Sequence, residues 1–125
     1  MAIFCGVDII EIDRLKVSIT EQKGFRDRVF TDSEISYCEK RNKAKFESYA
    51  ARFAAKEAVL KALGKGIADG LEWRQIEVLN NELGKPYVVL YRRALELFNE
   101  MGAKSMDISL SHCSEYAVAY VVIDT

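Results

Sequence analysis

At 125 residues the chain is most simply one domain; half of it is hydrophobic and 30% charged, enough apolar material for a packed core. A net charge of −1 argues against generic nucleic-acid binding, no apolar run is long enough to span a membrane, and one proline without low-complexity tracts argues against a linker-joined or disordered architecture.

Residues 3–10, IFCGVDII, are β-prone and apolar on both parities: Ile3, Cys5, Val7 and Ile9 point one way, Phe4, Gly6, Asp8 and Ile10 the other. Cys5 is expected to point inward as small core filling. A short amphipathic helix follows over roughly 11–20. The stretch TDSE opens another helix, with Thr31 as cap and Glu34 completing a capping box. A long helix over about 44–63 stops at Gly64, and Gly66 and Gly70 open a loop. Then come a strand around Ile76–Leu79, the turn NNELGKP, and a strand Tyr87–Leu90; Asn80, Gly84 and Pro86 are the turn formers. ALELFNEMG (94–102) is a short helix ending at Gly102, and DISLSH (107–112), a turn at CSE, and YAVAYVVI (116–123) form a hairpin. Strands joined by turns and interspersed with helices predict an α+β fold, an antiparallel sheet packed against the long helix. The last strand, apolar on both faces, belongs at the centre of the sheet or at a subunit contact.

Two carboxylates fall where apolar residues are expected. Asp8 lies inside a strand whose faces are otherwise apolar. On the long helix, at about 100° per residue, Phe46, Tyr49, Ala50, Phe53 and Leu60 share a face, with Glu57 near its middle and Lys61 on its flank. A buried carboxylate needs a partner. One reading is a structural ion pair, with Arg14, Arg52 or Lys61. The other is that both acids hold one cation: Mg²⁺ commonly takes one or two protein carboxylates, keeps several waters and fills its other positions with phosphate oxygens. Lys61, at i,i+4 from Glu57, is either an ordinary helix pair or a charge that neutralises a diphosphate oxygen. The turn NELGKP can bring backbone N–H groups and Lys85 to a phosphate, although a plain hairpin turn explains it as well. His112, the only histidine, sits at a strand end on the Ile108–Leu110 parity, more a rim residue than a catalyst. Cys5, Cys38 and Cys113 have no metal spacing, and an odd count without a signal-like segment predicts reduced thiols in the cytoplasm. Arg14, Lys16, Lys23, Arg26, Arg28, Lys40, Arg41, Lys43 and Lys45 crowd the first part of the chain, as a solvated surface or as a patch for an acidic partner.

Four blocks in order, GVDIIEIDRL, FAAKEAVLKALGKG, NNELGKP and ISLSHCSEYAVAYVV, resemble the holo-[acyl-carrier-protein] synthases, the short single-module type of 4′-phosphopantetheinyl transferase, through nearly the whole chain. The resemblance implies transfer of phosphopantetheine from coenzyme A to a serine of apo acyl carrier protein, with release of adenosine 3′,5′-bisphosphate, in support of fatty acid biosynthesis. It implies Mg²⁺ on Asp8 and Glu57, and catalytic roles for Glu57 and Lys61, the latter at the diphosphate. By the same resemblance Lys43, Arg52, Lys85, Pro86 and His112 match positions that hold the adenosine and its phosphates, and Gly64 is grouped with Lys61 on the coenzyme A side. Arg14 and Arg26 look placed to meet the acidic carrier. The family packs as a homotrimer with sites between subunits, which suits the two-faced last strand. A net charge of −1 then requires the carrier patch to be local. The alternatives are a non-catalytic module that binds an acidic carrier or nucleotide through residues 14–45, and an enzyme for another diphosphate.

Overall fold

Strand β1 (Ile3–Glu11) runs antiparallel to β5 (Tyr116–Asp124), which also pairs with β4 (Ser105–His112), so the last strand is the central one of a β1-β5-β4 sheet. The computed structural model describes residues 2–67 and 70–125. The register aligns Asp8 with Ala119 and Ala119 with Leu110. A second sheet is the hairpin of β2 (Ile76–Asn80) and β3 (Pro86–Leu90). Helices α1 (Ile12–Glu21), α2 (Phe25–Val29), α3 (Asp32–Glu39), α4 (Lys45–Leu63) and α5 (Arg92–Glu100) complete the α+β architecture. Every predicted element is present to within a few residues; α2 was not foreseen. Among the described residues no helix is long and apolar enough to cross a membrane.

Helix α4 ends where the sequence predicts, on Gly64 in the left-handed conformation at φ 76°. The α3 capping box also forms in both halves. The α4 surface, however, is not a simple stripe. Its alanines 54, 55, 58 and 62 pack under the sheet with Ala119, Val121 and Ile123, while Tyr49 and Ala50 join Phe30, Ile12 and Leu15 in a second cluster. Hydrocarbon therefore covers the helix nearly all round.

The strand crosses the helix at Gly6. A Cβ there would land on the carbonyl oxygen of Ala58 and 3.1 Å from the Ala62 nitrogen, so only glycine admits this approach. The inward parity of β1 is thus Gly6, Asp8 and Ile10. Cys5, expected inward, is exposed on the other parity: the parity facing α4 must carry the residue without a side chain. Ile3, Val7 and Ile9 also point outward, 71%, 50% and 62% exposed, beside Tyr116 and Tyr120.

Because the obstructing atoms at Gly6 are backbone, Gly6→Ala should destabilise toward the upper end of the roughly 1–3 kcal/mol typical of overpacking. Urea unfolding checks this; a midpoint equal to the parent's would mean that strand and helix can separate freely.

Candidate active site

The crossing at Gly6 sets the site. Two residues beyond it on the same face of β1 is Asp8; on α4, Glu57 precedes Ala58 and Lys61 lies one turn on. Lys61 Nζ donates to the Val7 carbonyl at 2.8 Å and to Asp8 Oδ1 at 3.1 Å. Its side chain remains 55% exposed, while Asp8 is 16% exposed and its Oδ2 is buried with no hydrogen-bond partner. Glu57 is half-buried, and among the described residues it forms no ion pair within 4.0 Å. Its pKa is raised above the ordinary glutamate value, first by burial and next by the neighbouring Asp8 carboxylate, with Lys61 pulling the other way. The structural ion pair anticipated as one reading of the sequence therefore exists for Asp8, through Lys61, and not for Glu57.

An open cleft of ≈ 450 Å³ adjoins this cluster, lined by Glu57, Leu60, Lys61, Gly64–Ile67 and Trp73, with Asp8 behind Lys61 and outside the lining. Two carboxylates, one with an orphaned oxygen, and an adjacent ammonium make a hard-oxygen, electrostatically incomplete site. It fits a small divalent cation whose remaining ligands are water and phosphate. Among the described residues no group of three or more histidine, cysteine, aspartate and glutamate side chains forms a closed metal cage.

The other predicted site residues lie elsewhere. Only Gly64 shares the cleft; Lys43, Arg52, Lys85, Pro86 and His112 are not among its lining residues. Lys43 is exposed in the 3-10 turn Asn42–Ala44. Arg52 is buried, donates to Asn80 Oδ1 at 2.5 Å and lies with its guanidinium carbon 4.1 Å from the Tyr37 ring centroid; its Nε has no partner. It borders a separate cleft with Ser33, Tyr37 and the 78–82 segment. Lys85 pairs with Asp107 at 2.9 Å, and Pro86 opens β3. The turn they follow is self-contained, since the Asn81 side chain accepts from the backbone N–H groups of Leu83 and Lys85, both at 2.9 Å. His112 is the exposed last residue of β4. Arg14 is exposed at an apolar cleft with Ile9, Ile10, Leu15, Phe25 and Phe53. Arg26 pairs with Asp27 at 3.3 Å and Glu39 at 3.6 Å. The basic segment is thus partly internally neutralised.

Sequence reading missed the most deeply buried charges. Lys56 and Glu34 are fully enclosed and 2.8 Å apart. Glu77, nearly as buried, accepts from Thr31 Oγ1 at 2.5 Å and Tyr91 OH at 2.7 Å. A weak signal existed: Lys56 lies at i,i+3 and i,i+4 spacing from the apolar Phe53, Val59 and Leu60. For Glu34 the capping box supplied a sufficient local explanation and hid the second role.

A model of the 4′-phosphopantetheinyl transferase superfamily matches residues 4–121. The chain is 51% identical over 124 residues to the holo-[acyl-carrier-protein] synthase of Ruminiclostridium cellulolyticum, covering 98% of this chain and 92% of that relative. Among solved structures it superposes with TM-score 0.87 on a Chronobacterium ammoniagenes ACPS–CoA complex, at 26% identity over 98% of this chain and 97% of that one. The holo-[acyl-carrier-protein] synthase of Helicobacter pylori in complex with coenzyme A gives TM-score 0.82 at 32% identity, over 96% of this chain and 99% of that one.

The raised pKa of Glu57 has a stability consequence. The folded protein keeps this proton to higher pH than the unfolded chain does. The ionised carboxylate therefore destabilises the fold once pH exceeds the folded-state pKa, and has no effect well below the unfolded one. Metal-free Glu57→Gln should melt above the parent near neutral pH, with the difference vanishing toward pH about 4. Thermal melts across pH check the sign; a neutral-pH loss in the variant would place Glu57 in a stabilising pair.

Proposed function

Because the chain belongs to the 4′-phosphopantetheinyl transferase superfamily, we propose that it transfers 4′-phosphopantetheine from coenzyme A to a serine of apo acyl carrier protein. The products are holo-acyl carrier protein, for fatty acid biosynthesis, and adenosine 3′,5′-bisphosphate. The observation that carries the reading is the Asp8–Glu57–Lys61 cluster: two acids brought together by the Gly6 crossing, one oxygen orphaned, an ammonium beside them, and an open cleft that Glu57 and Lys61 line.

Asp8 and Glu57 are the residues that would hold Mg²⁺, which when bound neutralises diphosphate charge and withdraws electron density from the phosphorus under attack. Lys61 already spans from Val7 O to Asp8. It is long and exposed enough to swing onto the diphosphate, where it offsets charge on the departing oxygen. The carrier serine Oγ bonds to the β-phosphorus as the bond from that phosphorus to the bridging oxygen breaks; the hydroxyl proton leaves to a base, and the bridging oxygen departs with the adenosine bisphosphate. Positioning and charge neutralisation supply most of the acceleration, as in other phosphoryl transfers.

The remaining expected contacts suit an assembly. The nucleotide-matched residues Lys43, Arg52, Lys85, Pro86 and His112 lie outside the cleft of their own chain. The outward sheet face, with Ile3, Val7, Ile9, Tyr116 and Tyr120, is apolar. A homotrimer joined through that face would cover it and let a neighbouring copy complete the coenzyme A site. Arg14, beside the apolar cleft of Ile9, Phe25 and Phe53, with Arg26 nearby in sequence, provides a local basic edge for an acidic carrier. The setting that goes with this activity is the cytoplasm.

The test is a mass assay. With Mg²⁺, coenzyme A and apo acyl carrier protein, the purified protein should yield carrier heavier by one phosphopantetheine; unchanged carrier mass from a folded enzyme rejects the reading. Glu57→Gln should largely abolish transfer with the fold intact, and Lys61→Met should lower kcat/KM by on the order of 10²–10³. In calorimetry, chelation of Mg²⁺ should weaken coenzyme A binding by the parent and leave Glu57→Gln nearly unaffected.

A further inference from the structure

The charge that the cleft leaves unused is Lys56, next to Glu57 and completely enclosed. An ammonium has three donors, and each is taken: Glu34 Oε1 at 2.8 Å, the Trp73 carbonyl at 3.1 Å and the Ile76 carbonyl at 2.5 Å. Both oxygens of Glu34 are engaged as well. Its Oε1 also accepts from Thr31 N at 2.9 Å and its Oε2 from Val78 N at 2.8 Å. The pair therefore grips both ends of the 3-10 turn Trp73–Gln75 and the start of β2, and ties them to α3 and α4.

Stability is a weak reason for such a pair. Well-packed apolar residues of similar volume often match or exceed a buried ion pair, because desolvation offsets the Coulombic gain. What the pair supplies is direction. Carbonyl oxygens met by an ammonium fix the path of the backbone in a way that hydrocarbon contact does not. The path fixed here is that of Trp73, which lines the cleft together with Glu57 and Lys61 and packs against Phe53 in a tilted pair with ring centroids 5.1 Å apart. The cleft's other lining segment, Gly64–Ile67, comes off the end of α4 in the left-handed turn at Gly64. Trp73 is where the chain returns to the cleft, and Lys56 holds that return.

We propose that Lys56, through its bonds to Glu34 and to the Trp73 and Ile76 carbonyls, is a positioning residue that sets the Trp73 wall of the cleft over Glu57 and Lys61. In function this rests on the coenzyme A reading above; in geometry it is testable without any ligand, because Trp73 is the chain's only tryptophan.

The experiment compares the full-length parent, Lys56→Met, and the double variant Glu34→Gln/Lys56→Met. Lys56→Met alone strands a buried carboxylate and should lower Tm sharply. The double variant removes both charges and should recover most of that loss. A purely structural pair would then be fully rescued. A positioning pair would not: the double variant should still show red-shifted Trp73 emission and about twofold greater acrylamide quenching. Its KM for coenzyme A should rise about tenfold with kcat changed far less, the cost of a displaced binding wall. Parent-like emission, or a parent-like KM, in the stability-rescued variant overturns the proposal. If the Met variant does not fold, Glu34→Gln/Lys56→Gln takes its place; a glutamine is one bond too short to hold both carbonyls, and the same two readouts apply. If the parent itself neither binds coenzyme A nor modifies carrier, the transferase reading falls, while the Trp73 emission still decides whether Lys56 holds the wall.

Discussion

The backbone of β1 rests on the backbone of α4 at Gly6, closer than any side chain would allow, and the site follows from that contact. Helix and strand usually meet through side chains, which keep their axes well apart. Here glycine on one side and alanines at 54, 55, 58 and 62 on the other remove that spacer. Side chains flanking the crossing can then meet across it. Lys61 can reach the Val7 carbonyl, and the Asp8 carboxylate lies within the electrostatic reach of Glu57 although they are far apart in sequence.

Consecutive residues of α4 show two opposite ways of placing charge inside a protein. Lys56 is enclosed and saturated: every donor has an acceptor, and every oxygen of its acid partner has a donor. Such a group has no capacity left for a ligand. Glu57, about 100° further round the helix, belongs to a cluster short of positive charge: two acids lie near one ammonium that pairs with Asp8, the other oxygen of Asp8 has no partner, and the Glu57 proton is held more tightly than usual. An unsatisfied buried oxygen destabilises a fold, which is why nearly all buried oxygens have a hydrogen-bond partner. The first arrangement is complete within the chain; the second sets two acids beside a single ammonium.

Much of this was legible in the sequence, for local reasons. Strand alternation, the Gly64 stop, the α3 capping box and the hairpins each depend on a few adjacent residues, and all are present, although which parity of β1 faces inward was misjudged at Cys5. Asp8, Glu57 and Lys61 could be singled out because charges inside apolar patterns violate a short-range rule. The failures have a common cause. The 3.6-residue stripe loses its discriminating power on α4, where alanines allow close packing on almost every side, so Lys56 did not stand out although it is far more buried than Glu57. Its partner Glu34 lies 22 residues away on another helix, and no periodicity within either segment joins them. Cys5 was assigned to the core because both parities of β1 are apolar; the choice between them belongs to Gly6, whose tertiary neighbour is invisible in the strand itself.

That choice of parity reaches beyond the site. In a strand, the rule that turns Gly6, Asp8 and Ile10 toward α4 turns Ile3, Val7 and Ile9 away from it, where they lie beside Tyr116 and Tyr120 of the central strand. A slip of one residue would exchange the faces completely. It would remove Asp8 from the cluster and present its carboxylate to the apolar surface that we assign to subunit contact. Strands apolar on both faces are poorly protected against such slips, since hydrophobicity alone does not distinguish the registers. Gly6 does: only the observed parity avoids driving a side chain into the Ala58 carbonyl. The residue with no side chain thus holds the acid against Lys61 and the hydrocarbon at the outer surface by a single steric exclusion.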